Sequence, residues 1–133
     1  MAFVVDNSIA VAWCVSSQAD RYSRAMIERS RREAMHAPHI WALEFLNALR
    51  VLERRGQLSS QQVNGSLAKI ARLRIVIEDA HPRDEALLDL SRQLDLSIYD
   101  ACYIEIAQRR GLPLATRDAK LRQAARAAGI PLA

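Results

Sequence analysis

Short, unbroken apolar runs set between helix-length stretches constrain this chain more than any other feature of its sequence. Ala2-Phe3-Val4-Val5 is apolar at every position and stops at the turn-forming trio Asp6-Asn7-Ser8. A run with no polar alternation reads as a strand covered on both faces, the habit of parallel sheets. Ala34-Met35-His36-Ala37 is a weaker second run, Arg74-Ile75-Val76-Ile77 a third and Pro113-Leu114-Ala115-Thr116 a fourth. Ile130-Pro131-Leu132 reads as a short additional edge strand.

Parallel neighbours must be joined by long crossovers, and the intervening sequence supplies them. Helical signals cover Ile9 to Val15 and Ala19 to about Arg32. From Pro38, placed as the first turn of a helix, to Arg55, the residues Trp41, Phe45, Ala48, Leu49 and Leu52 recur at three-and-four spacing, and Gly56 closes the stretch. Ser59-Ser60 caps a helix running to about Leu73, Pro82 to Leu94 and Ser97 to Arg110 are helical, and a last helix runs from Asp118 to Ala128. The expectation is an α/β protein: a three-layer α/β/α sandwich around a mainly parallel sheet of about five strands.

At 133 residues the chain has room for one ordinary domain, so residues 1–133 are read as a single unit with one site. Half its residues are hydrophobic, which excludes a disordered chain. The longest apolar run, Ile9 to Val15, is far below the ~18 residues of a membrane span, and no basic segment followed by an apolar one opens the sequence. Cys14 and Cys102, distant and in apolar helical contexts, suit free thiols in a reducing, cytoplasmic setting. The net charge is +4 and the basic side is almost entirely arginine, compatible with a nucleic-acid partner, although Arg21, Arg24, Arg29, Arg31 and Arg32 fit a solvated helix face as well.

In an open parallel sheet, ligands bind beyond the carboxyl ends of the strands. The residues there are mostly acidic. Asp6 follows the first strand, Asp118 lies just past the fourth, Asp100 falls in the first turn of a helix after Ser97, and Glu44 lies on the helix after Pro38. Taken singly, Asp6 can close an Asx turn, Asp118 can cap a helix and Asp100 can pair with Ser97. Glu44 sits at the margin of an apolar stripe, where an unpaired carboxylate is costly, and Asn47, one turn on, is placed to orient it. Four carboxylates at one sheet edge repel by ~1 kcal/mol per close pair even in water. Such a cluster wants a cation, and hard oxygen ligands select Mg2+ or Mn2+. A cation so held supports phosphodiester hydrolysis.

Other chemistries fit less well. His36 and His39 have Pro38 between them and no third ligand nearby, Cys14 and Cys102 lack an adjacent base, and four scattered glycines make no phosphate-cradling loop. A receiver module needs an acidic pair after its first strand, and an aspartate phosphatase needs Asp-x-Asp where this chain has Asp6-Asn7-Ser8.

The segments Phe3-Val4-Val5-Asp6-Asn7-Ser8, Trp41 to Leu49, Tyr99-Asp100-Ala101-Cys102-Tyr103 and Leu114-Ala115-Thr116-Arg117-Asp118, in this order and with Ala124 to Ile130 closing, resemble the PIN-domain family, in particular its VapC toxins. The resemblance spans essentially the whole chain. It implies a Mg2+- or Mn2+-dependent endoribonuclease acting on structured RNA, a homodimer, and inhibition by a cognate antitoxin. By position, Asp6, Glu44, Asp100 and Asp118 correspond to the family's acidic metal-binding and catalytic residues, with Ser8, Asn47 and Thr116 in supporting places. An inactive PIN-like module that binds RNA or protein is the alternative. A fifth acidic residue found in some PIN domains has no counterpart in Ala119-Lys120-Leu121.

Overall fold

Phe3, Val4 and Val5 are wholly excluded from solvent in a computed structural model that describes residues 1–80 and 82–133. They belong to β1 (Ala2–Val5), which pairs in parallel with β2 (Ala34–Pro38) on one side and β4 (Leu114–Ala115) on the other. β3 (Ile75–Glu78) pairs in parallel with the far side of β2, giving the order β3-β2-β1-β4. The chain therefore winds outward from β1 to β3, then returns to the other side of β1, so its direction reverses between β1 and β4. That reversal opens a crevice at the carboxyl ends of the two strands.

The connections are α1 (Asn7–Cys14) and α2 (Arg21–Ser30), then α3 (Trp41–Arg54) and α4 (Ser60–Ala71), then α5 (Asp84–Leu94) and α6 (Ile98–Arg110). α7 (Ala119–Ala127) follows β4. α1 packs on α2 and α3, and α3 on α4, while α6 lies across β1, β2 and β4 and carries α5 and α7 beside it. Capping explains where helices begin: Asp20 and Ser59 each form reciprocal capping boxes with the residue three positions on. Gly111 ends α6 at φ 63°, a conformation that suits a residue without Cβ. Leu49 and Phe45 on α3 and Ile104 and Ile106 on α6 supply the helical side of the core, each fully buried aliphatic contributing about 1.5–3 kcal/mol.

Two boundaries differ from the sequence expectation. Pro38 is the last residue of β2, paired with Glu78, and the helix after it starts at Trp41. A strand's last position tolerates the missing N–H as readily as a first helical turn does. Among the described residues the sheet has four strands instead of about five, because Leu132 makes an isolated parallel bridge to Leu114. Pro131 offers its carbonyl to Leu114 N but has no N–H to extend a ladder. Both cysteines are free, and among the described residues no helix is long and apolar enough to cross a membrane. His36 is structural, its Nδ1 lying 2.8 Å from Glu78 Oε1. Arg29 and Arg31, at the end of α2 and just beyond it, pair with Glu33 and Glu28, as a solvated surface would.

Candidate functional site

The backbone of β1 delivers Asp6 into the crevice beside β4, where Asp6 N donates to Ala115 O at 3.2 Å. Asp6 is the N-cap of α1, and its Oδ1 accepts from Ser8 N at 3.0 Å and from Ser8 Oγ at 2.6 Å. Its Oδ2 accepts from Thr116 Oγ1 at 2.6 Å. Burial pushes the Asp6 carboxyl up to about 6, against the opposing pull of these hydroxyl and backbone donors. Ser8 Oγ also accepts from Arg117 N, and Thr116 Oγ1 from Asp118 N, so the two hydroxyls lock the β4–α7 turn onto Asp6.

Glu44, in the first turn of α3, is half-buried. Its Oε1 accepts from Tyr103 Oη on α6 at 2.7 Å and from Asn7 Nδ2 on α1 at 3.4 Å. Asn47 does not hold it. That amide instead lines an open groove of about 400 Å³ with Ile40, Leu43, Glu44 and Tyr99. Helical spacing correctly placed Asn47 on the side of Glu44, but the orienting donors come from other helices. The sequence marks Asn7 only as a turn former and gives Tyr103 no role, yet both donate to Glu44. The available signal was position: Asn7 adjoins Asp6, and Tyr103 lies one turn after Asp100 on the same helix face.

Asp100 is half-buried, its backbone N–H capped by Ser97 Oγ at 3.0 Å. Asp118 is exposed and caps α7, its Oδ1 accepting from Leu121 N at 2.9 Å. Charge links three of the acids in sequence, Asp118 acting on Asp100 and Asp100 on Glu44, while Asp6 shares with Glu44 and Asp100 an influence on Tyr103. Burial raises the Glu44 carboxyl and the neighbouring charge of Asp100 raises it further; burial and then the charge of Asp118 do the same to Asp100, with Lys120 opposing. Burial, and after it the charges of Glu44, Asp6 and Asp100, all resist ionisation of Tyr103. Arg117 does not neutralise the group, since its guanidinium pairs with Asp20 at 2.9 Å.

Among the described residues, no three His, Cys, Asp or Glu side chains close on a single point as a preformed cage would. The donor set nevertheless fits a hard divalent cation in chemistry: all are carboxylate oxygens, and they suffer mutual repulsion that a cation would relieve. Asn7 Oδ1, buried with no donor to satisfy it, adds a neutral oxygen to the same region. An ion that keeps much of its water, as Mg2+ does, needs no closed cage of side chains.

A family model described as PIN domain matches residues 3–127. Among curated proteins, the chain is 35% identical over 122 residues to Ribonuclease VapC3 of Mycobacterium tuberculosis, covering 91% of this chain and 86% of that one. It is 28% identical over 127 residues to Ribonuclease VapC1 of the same organism, covering 92% and 91%. Among solved structures, VapBC2 from Rickettsia felis, bound to a DNA fragment from its promoter, superposes with a TM-score of 0.70 at 13% identity, covering 100% of this chain and 98% of that one.

Proposed function

The chain belongs to the PIN domain family, and from that premise we propose that it is a Mg2+- or Mn2+-dependent endoribonuclease that serves as the toxin of a toxin–antitoxin pair. The observation that carries the reading is the electrostatic coupling of Glu44, Asp100 and Asp118 beside a buried Asp6 at the sheet's reversal point. Left uncompensated, such a pocket repels a phosphodiester. A bound divalent cation would polarise a phosphate oxygen and supply a water of lowered pKa. Asp6, Glu44, Asp100 and Asp118 are the residues assigned to hold it.

The protein's own contribution is placement. Ser8 and Thr116 fix both oxygens of Asp6, and Tyr103 with Asn7 fixes one oxygen of Glu44. Asp100 is half-buried, within the field of Asp118, and acts with Glu44 to orient the attacking water toward phosphorus. Asn47 and Tyr99 on the groove beside Glu44 contact the RNA flanking the scissile bond. The net charge of +4 guides the substrate toward an acidic site that a cation has neutralised.

The similarity to proteins named VapC and the fold shared with a VapBC complex support an antitoxin as partner, and a homodimer is the assembly proposed. The test is cleavage of structured RNA by the purified chain with Mg2+, Mn2+ or chelator, alongside Asp6→Asn and Asp100→Asn. Cleavage should need the metal and vanish in both variants. Undiminished cleavage by either variant would refute the assignment of roles. Expression alone should arrest growth, and co-expression of the neighbouring small reading frame should relieve it.

A further inference from the structure

Glu44 reaches the pocket from a flexible three-torsion side chain on α3, yet a residue 59 positions away on α6 directs it. We propose that Tyr103, assisted by Asn7, is the positioning residue that sets which oxygen of Glu44 faces the pocket. The inference rests on the reading of that pocket as a metal-binding nuclease site.

Tyr103 is 2% exposed and its ring is part of the core that surrounds β1. Its hydroxyl therefore cannot wander. The single hydroxyl proton goes to Glu44 Oε1. Asn7 Nδ2 reaches that same Oε1 at 3.4 Å, the Tyr103 oxygen at 3.4 Å and the Trp41 carbonyl at 3.3 Å. One amide thus ties the start of α1 to α3 and α6 at once. Because both donors converge on Oε1, Oε2 is left for a ligand. A carboxylate already immobilised loses less conformational entropy when it binds an ion. Phenylalanine would fill the same core volume, so the hydroxyl's contribution is to Glu44 rather than to packing.

The experiment measures Mn2+ binding to the full chain by the paramagnetic resonance signal of free Mn2+, comparing the parent with Tyr103→Phe, and follows RNA cleavage in the same samples. Loss of a residue that orients a metal ligand weakens binding by about 10- to 100-fold. The expected result is a loss of that size, unchanged circular dichroism, and cleavage that recovers as Mn2+ is raised. Equal Mn2+ affinity in the two proteins overturns the positioning role. A parent that binds no Mn2+ overturns the metal reading itself, a distinguishable failure. Should Tyr103→Phe fail to fold, Tyr103→Met, which also lacks the hydroxyl and adapts its shape to a core gap, carries the same test, with a loss of Mn2+ affinity of the same size expected.

Discussion

Asp6→Asn should make the metal-free protein more stable at neutral pH while abolishing its activity. Asp6 is 6% exposed, and burial holds its carboxyl at about 6 instead of the ordinary 3.8. For an acid, this means that between pH 3.8 and about 6 the folded chain keeps a proton that the unfolded chain has released. Stability therefore falls as pH rises through that window, with no loss below it and the full loss above it. At about 1.4 kcal/mol per pH unit, the interval amounts to ~3 kcal/mol. Asparagine has the same shape, caps a helix equally well and carries no charge to desolvate. Its amide must instead donate to Thr116 Oγ1, which now donates to Asp6, and that rearrangement offsets about 1 kcal/mol. The net gain of ~2 kcal/mol corresponds to a rise of about 7 °C in Tm for a chain of this size. Urea denaturation in chelator, run on both proteins from pH 4 to pH 7.5, measures it directly. The gap between them should open between pH 4 and 6 and then level. An Asn variant no more stable than the parent at pH 7.5, or a gap independent of pH, would refute the argument that Asp6 is a charge kept at the expense of stability.

Thr116→Val keeps the volume but removes a buried donor from Asp6 and leaves Asp118 N–H without its acceptor, so unfolding free energy at pH 7.5 should drop by about 2–3 kcal/mol and by less at pH 4, where Asp6 is neutral. Glu78→Gln should show the opposite pH sense: the bond from Arg110, then the bond with His36 and the charge of Arg109, hold the Glu78 carboxyl down to about 2, so the stability it adds is present above its ordinary 4.5 and fades as pH falls toward 2. Thermal melts should give a deficit of about 2 kcal/mol for that variant at pH 7 that closes in acid. Mn2+ at about 100 times its dissociation constant should stabilise the parent by about 2.7 kcal/mol and leave Asp6→Asn nearly unmoved, read by the same melts.

The alternation of apolar runs and crossovers made the sheet legible because β1 is buried on both faces and nothing local competes with that pattern. The same logic placed Asp6 and Thr116 at strand ends, and the register Val5↔Ala115 brings them side by side. Pro38 was not legible: a residue without N–H satisfies a strand end and a helix start alike, and the pairing with Glu78 decides between them. The fifth strand failed for a related reason, since Pro131, which has no N–H to donate, flanks the Leu132 bridge. Asn47 and Tyr103 mark the deeper limit. Helical spacing reports which residues share one helix's face, whereas the donor to Glu44 is chosen by how α6 crosses toward α3. That choice lives in packing, not in periodicity.

Whether Asp6, Glu44, Asp100 and Asp118 together hold a divalent cation is read from anomalous diffraction at the manganese edge, on crystals grown with Mn2+. A peak should stand in the crevice bounded by those four side chains in the parent and vanish in Asp6→Asn; a peak elsewhere on the molecule, or none in the parent at millimolar Mn2+, would rule out a cation held by these residues.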